Sequence, residues 1–200
     1  MKYRTWMMVV VCGGVTALVG SRVLSQDADK QGEMDPMMAK MMEYAATGEY
    51  HAHLKVLEGD WNCKVKFWMA PDTEPQESTG TIEREWMLGG RYLEEEYKGQ
   101  WAGAPFEGFG ILGYDNHQKK YFTLWMDTMG TGFYTETGTC DQSGKAFTFT
   151  GNNYDPMLGK NRDTRTTLEI INNDKHVLKM FEKGTDGKDF LKLEIVATRK

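Results

Sequence analysis

Residues 57–68 read LEGDWNCKVKFW, and the period of the chain changes inside them. Up to Gly59 the pattern is helical. Thr47 is a capping residue, Glu49 falls in a first turn, and Tyr50, His53, Leu54 and Leu57 share one face. Gly59 stops that segment. From Trp61 the period is two. Trp61, Cys63, Val65, Phe67 and Met69 alternate with Asn62, Lys64, Lys66 and Trp68, which is the pattern of a strand with one buried and one solvated face.

The same pattern recurs to the end of the chain. Ala70-Pro71-Asp72 turns into a second strand over 78–88, and Gly89-Gly90 turns into a third over 91–98. The segment GQWAGAP reads as a longer loop before a fourth strand over 106–114. Further turn residues separate strands predicted at 120–127, 131–140, 145–152, 162–171, 176–182 and 189–199. About ten short strands with hairpin-length connections, and no long helix between them, predict an all-β fold. The architecture expected is an up-and-down antiparallel β-barrel of calycin or lipocalin type, preceded by a helical N-terminal segment. Closure removes the exposed edges such a meander would otherwise leave. A β-sandwich is the alternative.

Three regions follow: 1–25, 26–46 and 47–200. Residues 1–25 carry Lys2 and Arg4, then an uncharged run from Trp6 to Gly20, then Val23-Leu24-Ser25. This is the layout of a secretory signal peptide cut after Ser25, and the apolar run is short for a membrane span. Cys12 lies inside that run behind the bulky Val11, which does not suit a lipoprotein site. The expected location is periplasmic or extracellular, with no stable membrane insertion after cleavage. Loss of Lys2, Arg4 and Arg22 takes the net charge from −5 to −8. An acidic chain without basic clusters argues against nucleic-acid partners. Residues 26–46 are polar and then Met-rich, with a short helix expected to begin near Asp35-Pro36.

Alternation also assigns inward faces. Trp61, Cys63, Val65 and Phe67 lead the first strand, and Leu191, Leu193, Ile195, Ala197 and Arg199 the last. Phe147 and Phe149, and Thr164, Thr166, Leu168 and Ile170, belong to strands between them. Two charges break the apolar rule: Arg84 shares a face with Ile82, Trp86 and Leu88, and Glu95 shares one with Leu93 and Tyr97. The hairpin sets these strands side by side, so an ion pair is expected, either as a polar handle in a pocket or as a structural pair. In the fifth strand Tyr121, Trp125 and Asp127 share one face and Phe122, Leu124 and Met126 the other. If the first face points inward, Trp125, Asp127, Tyr134 and Glu136 line the interior. The candidate ligand-binding set is Arg84, Trp86, Glu95, Tyr97, Trp125, Asp127 and Tyr134.

Motifs for established chemistries are missing. There is no Cys-x-x-Cys, His-Glu-x-x-His or nucleophile-elbow pattern, and no metal or cofactor is predicted. GFGILG at 108–113 has no helix behind it to meet a phosphate, so its glycines read as a bend in a barrel strand. His176 alternates with Leu178 and Met180, which makes haem ligation a minor possibility. Met34, Met37, Met38, Met41 and Met42 read as an adaptable apolar helix face, with Cu(I) binding as the sharper alternative. Cys63 and Cys140 read as free thiols, since Cys63 falls on the core face, although an exported protein permits a bridge.

The run HLKVLEGDWNCKVKFW, with EWMLGGRYLEEEY, PFEGFGILGYDNHQKKYFTLWMDTMGTG, YDPMLGK and the ending EIVATRK, resembles the bacterial domain-of-unknown-function family 1579 over roughly 50–200. That resemblance carries no activity and no catalytic residues. Gly59-Asp60-Trp61 with Arg199 is also similar to the lipocalin signature, in which a last-strand Arg stacks across the first-strand Trp and plugs the closed end. The function expected is binding of a small, mainly apolar or amphipathic ligand in the barrel. The alternatives are an enzyme site built from Arg84, Glu95, Trp125 and Asp127, and an interaction module using the Met-rich helix and the Trp101 loop.

Overall fold

The computed structural model describes residues 34–156, 158–184 and 187–200. Ten strands follow one another: β1 (Gly59–Phe67), β2 (Gln76–Met87), β3 (Tyr92–Trp101), β4 (Ala104–Asp115), β5 (Lys120–Asp127), β6 (Tyr134–Cys140), β7 (Ala146–Asp155), β8 (Lys160–Asn172), β9 (Lys175–Lys183) and β10 (Asp189–Arg199). Each pairs with the next, and β10 pairs with β1, so the sheet is a closed up-and-down barrel. Two helices, α1 (Pro36–Ala45) and α2 (Glu49–Ala52), and a 3-10 turn, Lys55–Leu57, precede it.

The chain divides into two units, Met1–Ala39 and Lys40–Lys200. The predicted leader, 1–25, lies outside the described residues. In the first unit Asp35 Oδ1 accepts hydrogen bonds from the backbone N–H groups of Met37 (2.7 Å) and Met38 (3.2 Å) and so caps α1. No α1 residue is buried. Within the second unit, Asn116 donates to the carbonyls of Tyr44 and Ala46, both at 2.8 Å.

Three details depart from the sequence reading. GQWAGAP is not a loop: the chain reverses at Ala102-Gly103, both at positive φ (48° and 83°), as a two-residue hairpin turn demands. Trp101 therefore ends β3, and its ring meets Phe67 edge to face at 4.3 Å. The last strand bulges between Leu191 and Leu193, so Leu191 pairs with Phe181 on the outer face, and Phe190, opposite Glu182, takes the inward place. The buried residues before the barrel are His51, Leu54 and Leu57, while Tyr50 stacks half-exposed on Tyr114.

One end of the barrel is sealed. Leu54 and Leu57 are fully buried against Leu93, Tyr114, Tyr121, Phe147, Phe149, Leu168 and Ile170. Beside them Trp61 has no exposed surface, and its indole Nε1 donates to the Leu57 carbonyl at 2.9 Å. Arg199, paired opposite Trp61, lies over the indole ring at 4.2 Å. Its guanidinium donates to the carbonyls of Glu58, Val56 and Asn173 at 2.9–3.0 Å. Gly59 is required here. It sits at φ 99°, and a Cβ there would meet Arg199 Nη1 at 3.0 Å.

Trp61→Ala is expected to lower the unfolding free energy by about 3–5 kcal/mol, the usual cost of an unfilled aromatic site. Urea denaturation checks this; an unchanged midpoint would remove the plug from the account.

Candidate functional site

The polar side chains of the interior begin directly above the plug. The β2–β3 register sets Arg84 opposite Glu95, and Arg84 Nε donates to Glu95 Oε2 at 2.6 Å. Arg84 is 5% exposed, whereas the Glu95 side chain keeps 22% of its surface. Arg84 also reaches His176, with Nη1 3.1 Å from Nε2. A guanidinium only donates, so Nε2 must accept and the imidazole proton must sit on Nδ1. That Nδ1–H is buried and has no partner. The His176 ring meets Trp61 edge-on at 4.4 Å. Arg199, Trp61, His176, Arg84 and Glu95 thus form a chain of contacts from the outer surface into the barrel.

Burial, then the charges of Arg84 and Arg199, depress His176 from its ordinary 6.5 to about 2, so the ring is neutral. A haem iron binding at Nε2 would have to displace Arg84. Cys63 is buried and its thiol is pushed up to about 12, chiefly by burial; Cys140 rises to about 11 for the same leading reason. Both are free, protonated thiols and poor nucleophiles. Among the described residues no three His, Cys, Asp or Glu side chains group as metal ligands.

Tyr121, Thr123, Trp125 and Asp127 face inward: Tyr121 is 2% exposed and packs on Tyr114 and Phe147. A cross-barrel row runs Arg84, Glu95, Gly110, Trp125, Tyr134 through β2 to β6. Gly108 and Gly110 are not bends. The indole of Trp125 lies flat across them, and a Cβ would meet the ring at 2.2 Å on Gly108 and 3.2 Å on Gly110. Trp125 Nε1 donates to Asp127 Oδ2 at 2.9 Å, which fixes the ring. Trp86 and Tyr97 also face inward, Tyr97 buried and Trp86 partly buried, whereas Leu88 is exposed outside β2 at positive φ.

Glu136 faces inward and is more buried than Glu95, at 8% exposed, and it accepts a hydrogen bond from Thr164 Oγ1 at 2.6 Å. The open end holds ion pairs that alternation alone did not single out. Arg162 bridges Asp155 (2.9 Å) and Glu182, and Lys192 approaches Glu182 at 3.8 Å. Lys192 is brought inward by the β10 bulge, which no local residue pattern announces.

The model of DUF1579, a protein family of unknown function, matches residues 46–199. The chain belongs to the DUF1579 family. No curated protein matches its sequence. Among solved structures the DUF1579 barrel is similar to Rv2717c from M. tuberculosis, with TM-score 0.59 and 14% identity, covering 78% of this chain and 99% of that one. At that identity the likeness shows the fold alone. Two redesigned β-barrels match with TM-scores of 0.41 and 0.38, at 16% and 15% identity. They cover 74% and 72% of this chain and 95% and 99% of theirs; one of them, mFAP0, is bound to DFHBI. The likeness to lipocalins rests on the Gly59-x-Trp61 and Arg199 arrangement within a ten-stranded barrel.

Two clefts mark the outer wall of the DUF1579 barrel. One, of about 510 Å³, carries Asn152, Asp163, Arg165 and Lys183, with Asp189 bound by Arg165 at 3.1 Å and Lys183 at 2.6 Å. The other, of about 400 Å³, is apolar and lined by Met87, Tyr92, Ile111, Phe122 and Leu124.

A buried neutral histidine links stability to pH. Below pH 6.5 the unfolded chain takes up a proton that folded His176 refuses, so its contribution is complete above 6.5 and lost as pH falls. His51, lowered chiefly by burial, acts in the same direction. Each such group contributes a slope approaching about 1.4 kcal/mol per pH unit. Urea denaturation between about pH 7 and pH 5 should show this fall, and His176→Gln should flatten it. Parallel curves for the two proteins would contradict the assignment.

Proposed function

We propose that this barrel binds a small, mainly apolar or amphipathic molecule in its interior, entering from the end opposite Trp61. The supporting observation is the state of the inward-facing apolar side chains. In a filled barrel those near mid-height would be buried. Here Trp125, Leu193 and Ile195, together with Phe106, remain only partly buried beyond the Trp61 cluster. Their side chains point inward, and on this reading their accessible surface lines the interior. The fully buried apolar residues fall into two separate clusters instead of one continuous core. Eight strands leave just enough room for side chains, and ten leave more.

The leader-like segment 1–25 supports export, and an exported barrel of this kind would serve as a carrier or sensor of its ligand. Paired and hydrogen-bonded polar groups set in an apolar wall are what an orienting site uses.

Titration with Nile red, a neutral apolar dye, tests the reading. Saturable, blue-shifted emission is expected, and Ile195→Trp, which fills the interior, should weaken it at least about tenfold while the circular dichroism spectrum is retained. Equal binding by both proteins would place the dye on the outer wall and sink the proposal.

A further inference from the structure

We infer that the interior is built for a ligand whose polar end is a protonated amine, held at Glu136; this rests on the interior-binding reading above. Among the described residues, the inward-facing cations are already committed: Arg84 to Glu95, Arg162 to Asp155 and Glu182, and Lys192 to Glu182. Two inward carboxylates among the described residues have no cation within ion-pair distance. Asp127 is compensated by two donors, Trp125 Nε1 and the Met129 N–H, each at 2.9 Å. Glu136 is 8% exposed and receives one hydrogen bond, from Thr164 to Oε1, while Oε2 has no protein donor and keeps accessible surface. A carboxylate held this deep with one neutral donor and one accessible oxygen is a place where a ligand ammonium gains a charge-assisted hydrogen bond.

A second observation points to the same place. Thr166 is the next inward residue on β8 beyond Thr164, one step toward the sealed end. It is 5% exposed, and its Oγ1 has no hydrogen-bond partner. On β6 the inward position after Glu136 is Gly138, where the Phe149 side chain packs against the bare backbone and forms the floor of the site. On β5 Thr123 pairs with Glu136, and Trp125 presents the indole face not laid against Gly108 and Gly110. An ammonium there would meet a carboxylate, a hydroxyl oxygen and an aromatic face, while its apolar body lies along Leu178, Leu193 and Ile195.

The test compares octylamine, octanol and octanoate, each below its micellar concentration, by calorimetric titration of the full chain at neutral pH. Octylamine should bind at least about tenfold more tightly than octanol, and octanoate more weakly than either. Glu136→Gln should remove the preference for the amine and leave octanol affinity unchanged. Thr166→Val, nearly isosteric, should weaken octylamine more than octyltrimethylammonium, which has no N–H to donate. Equal affinity for amine and alcohol, or an amine affinity unaltered in Glu136→Gln, overturns the inference and leaves interior binding standing. If none of the three binds, both fall. If Glu136→Gln fails to fold, Thr166→Val decides.

Discussion

The guanidinium of Arg199 lying across the indole of Trp61 is the contact on which the rest of this structure depends. It joins the last strand to the first at the point of barrel closure. It also satisfies the carbonyls of Glu58, Val56 and Asn173, left bare where the 3-10 turn and the β8–β9 turn reach the barrel end. A Lys could not replace this Arg, because the contact needs a flat cation and several donors held in one plane. Gly59 belongs to the same device, since only a residue without Cβ leaves the guanidinium its place.

What lies above the plug follows from it. With Trp61 and His176 held edge to face, Arg84 has a fixed acceptor in Nε2 and a fixed partner in Glu95. The cost of burying a charged Arg is offset by Glu95, set opposite it by strand register, and by His176 Nε2 reached from a non-adjacent strand, and His176 stays neutral under that cation. The sealed end is therefore closely packed, with Leu54, Leu57, Trp61 and Leu93 fully buried and the His176 Nδ1–H left as an orphan. The open half is not: its apolar side chains keep accessible surface, and Glu136 and Thr166 keep unused hydrogen-bonding capacity. Stability and binding are divided between the two ends.

Much of this was legible in the residues. Period-two alternation with turn residues placed all ten strands, and β5 and β10 coincide with their predicted bounds. Arg84 and Glu95 were recognisable as partners because a hairpin brings equal steps from its turn together. Other features depend on what one residue is next to across the sheet. Gly108 and Gly110 look like bends until Trp125 is seen lying on them. Leu191 looks inward until the bulge turns it out and brings Lys192 in. Both faces of β5 are apolar, so hydrophobicity could not rank them; closure of the barrel around Tyr121 decides. The contact of His176 with Trp61 joins residues more than a hundred positions apart, beyond the reach of local pattern.

The account holds that one end of the barrel is permanently sealed and that the other half receives the ligand. A crystal structure of the protein with octylamine tests this most directly. The account predicts the amine beside Glu136 and Thr166, its chain along Leu178 and Ile195, and Trp61 unmoved beneath Arg199. Ligand on the outer wall against Ile111 and Phe122, or a displaced Trp61, would contradict it.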